Sequence, residues 1–76
     1  MKAYVFVTVE PGKSTDVVGR LRAIEGVRSA ETCWGLPDII ALVEAGDLKA
    51  LQDFVLNKIQ KVAGVKQTDT HIIWEA

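Results

Sequence analysis

The sequence predicts an α+β fold in which two helices cover one face of a four-stranded antiparallel sheet. Three observations lead to this prediction: four runs rich in β-branched and aromatic residues, two stretches with helical periodicity, and a short internal repeat. The elements follow the order βαββαβ. Two βαβ halves within 76 residues are typical of the split βαβ arrangement, the ferredoxin-like sandwich.

The first half begins with a strand over residues 3–9, AYVFVTV, which the turn residues Pro11 and Gly12 bring to an end. A helix follows and is closed by Gly26. Its N-cap and first-turn residues are Ser14, Thr15 and Asp16. Its apolar stripe, at i, i+4 and i+7, consists of Val17, Leu21 and Ile24.

The second half contains a hairpin, a longer helix and a last strand. Residues 27–34 and 38–45 are the predicted hairpin strands. Asp47 caps the second helix, which Gly64 closes. The apolar stripe of this helix consists of Leu48, Leu51, Val55, Ile59 and Val62. Residues 65–74 form the last strand.

An internal repeat relates the two halves. Residues 24–32 match residues 62–70 in the pattern apolar-x-Gly-Val-basic-x-x-acid-Thr, and residues 9–12 match residues 43–46. The first pair is offset by 38 residues and the second by 34. The second helix is therefore predicted to be longer by about four residues, or one turn.

Composition excludes several classes of function. Nine basic and ten acidic residues are spread along the chain, so no basic surface for nucleic acid is predicted. Cys33 is the single cysteine, which rules out an intramolecular disulfide and a zinc site made of cysteines. No apolar run is long enough to cross a membrane or to form a signal peptide. We expect a cytoplasmic protein without a cofactor.

The predicted strands are apolar on both faces, although helices can cover only one. Val5, Val7 and Val9 share one face of the first strand, and Ile39, Ala41 and Val43 share one face of the third. The opposite face carries Tyr4, Phe6, Ile40 and Leu42. An exposed apolar patch of this kind is typical of an interface. We expect these four residues to pack against a second copy of the sheet in a dimeric, barrel-like assembly; the alternative is that they are tolerated surface residues.

A resemblance to a known family rests on a set of spacings that covers nearly the whole chain. The spacings are Asp47-x3-Leu51-x2-Phe54-x4-Ile59-x2-Val62-x-Gly64-Val65-x2-Thr68-x-Thr70-x-Ile72-Ile73, together with Gly35-x-x-Asp38. This pattern resembles the effector-binding (RAM) domain of the Lrp/AsnC regulators. The resemblance implies dimers built through the sheets, rings of dimers, and an amino acid held at subunit contacts. Full-length members carry a helix-turn-helix domain before this one, so we expect a stand-alone form that does not contact DNA.

The same motif suggests residues of a binding site. A free amino acid needs N–H or O–H donors for its carboxylate, an acidic acceptor for its ammonium and a pocket for its side chain. The predicted ligand-binding residues are Gly35, Leu36, Pro37, Asp38, Thr68 and Thr70. Asp38 would pair with the ammonium, and the threonines would offer hydroxyls. The alternative is that residues 35–38 form only a turn. The family usually has an aromatic residue where this chain has Pro37.

Other reactive groups indicate no catalytic or metal site. Asp69 and His71 share one side of a strand, but two ligands do not make a metal site. Cys33 has no activating partner near it in sequence and is predicted to be a core residue. The sequence thus predicts one domain, residues 1–76, that binds an amino acid and assembles. The alternatives are a ligand-free domain that forms mixed oligomers with full-length regulators, and a small dimeric α+β enzyme.

Overall fold

The computed structural model describes residues 1–74. Its elements are β1 (Lys2–Val9), α1 (Ser14–Arg22), β2 (Val27–Thr32), β3 (Ile39–Glu44), α2 (Leu48–Phe54) and β4 (Val65–Ile72). The strands form one sheet in the order β2-β3-β1-β4, and all neighbouring strands are antiparallel. The predicted ferredoxin-like βαββαβ fold is confirmed. Within residues 1–74, no helix combines the length and the apolar character needed to span a bilayer.

The core lies between the sheet and the two helices. The strands contribute Ala3, Val5, Val7, Ile39, Ala41 and Val43, and the helical segments contribute Val17, Leu21, Leu51, Val55 and Ile59. Burial alternates along β1 and β3, as expected for strands that have a single covered face. The opposite face of the sheet, which we call the open face, carries Tyr4, Phe6, Ile40 and Leu42 and is not covered by either helix of residues 1–74.

The repeat seen in the sequence is also present in the structure. Gly26 and Gly64 occupy equivalent turns, with φ of +101° and +97°. In both turns the N–H of the following valine donates to the carbonyl two residues before the glycine, at 3.1 Å. Each glycine carbonyl then accepts from a glutamate N–H at the end of the neighbouring strand, Glu44 at 2.9 Å and Glu10 at 2.8 Å. The turns that lead into β2 and β4 therefore have the same hydrogen bonds in both halves.

Several boundaries differ from those predicted. Helix α1 ends at Arg22 rather than near Gly26, because residues 23–26 form tight turns. Its N-cap is Lys13, which makes no side-chain capping bond, so the expected cap from the Ser14–Asp16 segment was wrong and these residues lie in the first turn. Strand β2 ends at Thr32 and β3 starts at Ile39, since residues 33–38 form a loop, and β4 ends at Ile72.

The second helix changes its winding halfway along. Asp47 caps it as predicted, because its Oδ1 accepts from the N–H of Ala50 at 2.8 Å. After α2 the chain continues as a π-helical segment, Val55–Ile59, where the N–H of Gln60 donates to the carbonyl of Val55 at 2.9 Å. An α-helix rotates residues four apart by about 40° relative to one another. A π turn holds more residues than an α turn, so it rotates residues four apart in the opposite sense. Apolar residues spaced by four therefore stay on the core side.

Candidate functional site: a groove between α2 and β4

A groove lies between the second helix and β4. Strand β4 lies at the edge of the sheet, and its residues Thr68, Thr70 and Ile72 pair with Val7, Val5 and Ala3 of β1. These residues thus share the helix-covered side of the sheet. The groove encloses about 610 Å³.

Residues spaced by four line the helical wall of the groove. They are Leu48, Gln52, Leu56 and Gln60, with Asp53 beside them. The π-helical segment keeps this stripe straight next to the buried stripe that starts at Leu51. Leu48 and Leu56 are 45% and 53% exposed, and Ile72 on the opposite wall is 46% exposed. Both walls of the groove therefore carry apolar side chains that residues 1–74 leave partly exposed.

Polar groups in the groove provide both donors and an acceptor. The Nε2 of Gln60 donates to Oγ1 of Thr68 at 2.8 Å and links the end of the second helix to β4. Asp53 is the charged residue among those lining the groove, and its Oδ2 accepts from Nζ of Lys49 at 3.4 Å. Hydroxyls, an amide and a carboxylate beside apolar walls match what an amino acid requires of a pocket.

The loop of residues 33–38 is held to the sheet through Asp38. The N–H of Asp38 donates to the carbonyl of Val7 at 3.0 Å, and its carboxylate accepts from the N–H of Val9 at 2.8 Å. Gly35 has φ of +109° and open space around it. Trp34 and Leu36 are exposed at the tip of the loop. Asp38 therefore has a structural partner in β1, while the loop tip projects from the domain.

Within one chain, the structure does not bring the loop residues of the predicted site close to its threonines. Asp38 lies beside β1 on the β3 side, and Thr68 pairs with β1 from the β4 side. Two strand spacings separate them, which is about 10 Å. Thr68 and Thr70 also lie on the helix-covered face of the sheet. A site that uses both the loop and the threonines would need two subunits.

The open face carries a second cluster of side chains. Tyr4 is paired with Leu42 and Phe6 with Ile40, so their side chains form one continuous apolar area. The imidazole of His71 lies 4.7 Å from the ring of Phe6, and its Nε2 is 3.0 Å from a carboxylate oxygen of Asp69. Within residues 1–74, no group of three metal-ligating side chains was found.

Cys33 lies outside the apolar core. It is half-buried at the end of β2, so the expectation that it would be a core residue was wrong. Its Sγ is 3.9 Å from the carbonyl oxygen of Glu31. The thiol therefore belongs to the base of the 33–38 loop rather than to the layer between helices and sheet.

Sequence reasoning missed the helical wall of the groove. Gln52, Asp53 and Gln60 were not singled out, although the chain carries a signal for them. Leucine and glutamine alternate at a spacing of four from residue 48 to residue 60, one position away from a buried stripe. A second stripe with this spacing indicates a helix face at the edge of the core rather than a fully solvated one.

The fold and the groove together define a class, a small α+β binding or assembly domain of ferredoxin-like topology. The Lrp/AsnC ligand binding domain matches residues 2–76, and the chain belongs to this family. It is thus the ligand-binding, regulatory type of domain found in transcription regulators.

Individual proteins are similar to this chain over most of its length. An uncharacterized HTH-type transcriptional regulator of Pyrococcus furiosus is 34% identical over 93% of this chain and 48% of its own length, so the chain spans about half of that relative. The protein in the crystal structure of FFRP-DM1 is 32% identical in sequence to this chain. The two structures superpose with a TM-score of 0.90 over 96% of this chain and 97% of that one. A Neisseria meningitidis transcriptional regulator in complex with L-methionine shares the fold, with a TM-score of 0.86 at 18% identity over 97% of this chain and 49% of its own.

Proposed function

We propose that this domain binds a free amino acid in the groove between α2 and β4. The observation that carries the proposal is the composition of the groove: hydroxyls of Thr68 and Thr70, the carboxylate of Asp53 and apolar walls, within about 610 Å³. A zwitterion needs donors at one group and an acceptor at the other, and these are present at a short distance from an apolar surface. The regulator of the same fold that was solved with L-methionine is a precedent for this class of ligand.

We further propose that the 33–38 loop of a neighbouring subunit completes the site. Trp34 and Leu36 are exposed apolar side chains at the tip of the loop, and burial against another subunit would remove them from water. The open surroundings of Gly35 would let its backbone approach a ligand closely. Pro37 fixes the backbone next to Asp38, whose second carboxylate oxygen remains to accept a hydrogen bond from a ligand ammonium.

A site shared between subunits couples binding to assembly. A ligand that touches two subunits favours the assembled state in which they meet, and assembly raises ligand affinity by the same factor. We propose a homodimer through the open face, where Tyr4, Phe6, Ile40 and Leu42 form an exposed apolar area, and higher rings through the loop and the groove. Full-length Lrp/AsnC regulators are candidate partners, because they contain the same kind of domain.

The proposed mode of action is regulation by binding rather than catalysis. The family and the curated relatives are ligand-binding domains and transcriptional regulators, and this supports a regulatory role in the cytoplasm, where such regulators meet DNA.

A second candidate function is a ligand-free assembly domain. It is favoured by the hydrogen bond from the N–H of Val9 to Asp38, which accounts for the carboxylate without any ligand. In this case the loop of a neighbouring copy would fill the groove directly. The two candidates differ in whether small molecules stabilise the protein.

A thermal-shift screen of the proteinogenic amino acids separates the two candidates. A ligand at about 100 times its dissociation constant adds about 2.7 kcal/mol to the free energy of unfolding. For a domain of this size, this raises the melting temperature by roughly 10 °C or more. Thr68→Val, which removes a hydroxyl with little change of shape, should abolish most of the shift. If no amino acid raises the melting temperature of the wild-type protein, amino-acid binding is refuted and the ligand-free candidate is favoured.

A further inference from the structure

The open face carries a group of three side chains, Phe6, Asp69 and His71, at its β4 edge. The imidazole of His71 lies 4.7 Å from the ring of Phe6, measured between ring centroids. Its Nε2 is 3.0 Å from Oδ2 of Asp69, two residues earlier on the same strand. Phe6 pairs with Asp69 across β1 and β4, so the three side chains lie next to the apolar area of the open face.

The open face has an apolar centre between two polar edges. On the β2 edge, Ser29 and Glu31 lie beside the apolar residues of β3. On the β4 edge, Asp69 and His71 lie beside β1, and their side chains are 66% and 54% exposed in the single chain. An apolar centre with a polar rim is the usual composition of a protein interface. A two-fold dimer uses the same surface of both copies, so it would contain two such Asp69–His71 pairs.

Covering this edge of the open face changes the energetics of the pair. With a neutral imidazole, the pair has the negative charge of Asp69, and the removal of water from an uncompensated charge is costly. With a protonated imidazole, the two charges cancel at hydrogen-bond distance. A protonated His71 is also a cation within about 6 Å of the Phe6 ring, and the attraction between a cation and an aromatic ring is stronger without water. The covered state therefore favours the protonated form of His71.

Other charged groups on the open face do not take the place of His71. The charged or titratable side chains that the remaining strands place on this face are Lys2, Tyr4, Glu31 and Glu44. The two glutamates are paired with arginines, Glu31 with Arg22 at 3.4 Å and Glu44 with Arg28 at 2.6 Å. Among residues 1–74, His71 is the basic group that lies within ion-pair distance of Asp69.

We propose that a dimer formed through the open face takes up protons at His71, so that it is stronger at mildly acidic pH and weaker at mildly alkaline pH. This inference rests on the proposed homodimer and adds its regulation by pH. His71 is the single histidine of the chain, and histidine is the side chain that ordinarily changes charge between pH 5 and 8. Since the dimer binds more protons than two monomers, the gain in affinity is complete below this range and is lost as the pH rises through it.

Sedimentation of the wild-type protein at pH 5.5 and pH 7.5, at one ionic strength, tests the inference. The dissociation constant of the dimer should be at least about 10-fold smaller at pH 5.5, because two histidines are protonated in each dimer. His71→Gln keeps a donor for Asp69 but cannot gain a charge, so its dissociation constant should be nearly the same at both pH values. Asp69→Asn leaves a protonated His71 without a counter-charge, so acidic pH should no longer strengthen the dimer.

Asp16→Asn is the matched control for the loss of a carboxylate. Asp16 is exposed on α1, where it pairs with Arg20 at 3.0 Å, and it lies away from the open face. This variant should keep the pH dependence of the wild-type protein. If the dimer is too tight for sedimentation, the rate of subunit exchange between fluorescently labelled copies gives the same comparison. Exchange should then be at least about 10-fold faster at pH 7.5.

The outcomes distinguish this inference from the proposed dimer. A wild-type dimer of equal strength at both pH values overturns the inference and leaves the dimer standing. A pH dependence that survives unchanged in His71→Gln does the same, since it would come from other groups. A wild-type protein that is monomeric at both pH values overturns the inference and the proposed dimer together.

Discussion

Replacing Gly64 by alanine should destabilise the fold much more than the same replacement at an open turn. Gly64 has φ of +97°, and a Cβ there would lie 2.9 Å from Cγ2 of Val17 and 3.3 Å from Cβ of Lys13. Val17 is fully buried, so it cannot move away without disturbing the core. The backbone conformation costs an L-residue about 1–2 kcal/mol, and overpacking adds about 1–3 kcal/mol. We expect a loss of about 2–5 kcal/mol.

Gly12→Ala is the matched control for this prediction. Gly12 also has a positive φ, +79°, but a Cβ there would meet nothing within 4 Å. Gly12→Ala should therefore lose only the stability that the unfavourable backbone conformation costs. The stiffening of the unfolded chain by alanine is similar at both sites and cancels in the comparison. The difference between the two variants, about 1–3 kcal/mol, measures the packing of the Gly64 turn against α1.

Urea denaturation at one fixed protein concentration provides the measurement. Both variants should keep the slope of the wild-type transition, and the midpoint should fall further for Gly64→Ala than for Gly12→Ala. Equal midpoints would show that the repeated glycine turn is not packed against α1 as described, and the structural basis given for the internal repeat would then be wrong.

Three further predictions concern the cap, the open face and the loop. Asp47→Ala removes the hydrogen bond from the Ala50 N–H and should lower the free energy of unfolding by about 1 kcal/mol. Asp47→Asn keeps an acceptor and should lower it less. Equal losses of stability in thermal unfolding would contradict a capping role. Leu42→Glu should convert the proposed homodimer to a folded monomer in sedimentation, because the dimer interface would bury an unpaired charge. A wild-type monomer would refute the proposed interface. Asp38→Asn should keep the hydrogen bond from the Val9 N–H but weaken amino-acid binding about 10- to 150-fold, because a charge-assisted hydrogen bond worth about 1.5–3 kcal/mol is lost. An unchanged dissociation constant in calorimetry would mean that Asp38 only holds the loop.

The fold could be predicted from local patterns because those patterns agree with one another. The alternation along β1 and β3 identified both the buried and the open face, and the two Gly-Val turns located the starts of β2 and β4. The end of α1 was misplaced because Gly26 ends a set of tight turns that follows the helix rather than the helix itself. A glycine with positive φ marks a turn, but it does not fix how many residues separate that turn from the helix.

The site could be predicted only in part. Thr68 and Thr70 both line the groove, since their spacing of two places them on one side of a strand, and their contact with a ligand stays a prediction. The helical wall was missed because its meeting with β4 depends on how the helix packs across the sheet, which local spacing does not specify. The π-helical segment also changes which residues of the helix face β4, and no single residue in its sequence, VLNKI, predicts a π turn.

NMR titration of the isotope-labelled protein with leucine tests whether the groove between α2 and β4 binds a free amino acid. The side-chain amide signals of Gln52 and Gln60 and the backbone signals of Asp53, Thr68 and Thr70 report on the groove, whereas Gln67 lies on the opposite face of β4 and serves as an internal control. If leucine binds in the groove, the groove signals should shift together along one saturating curve while those of Gln67 change little. Saturable shifts confined to the open face, or no saturable shift in the groove, would contradict it.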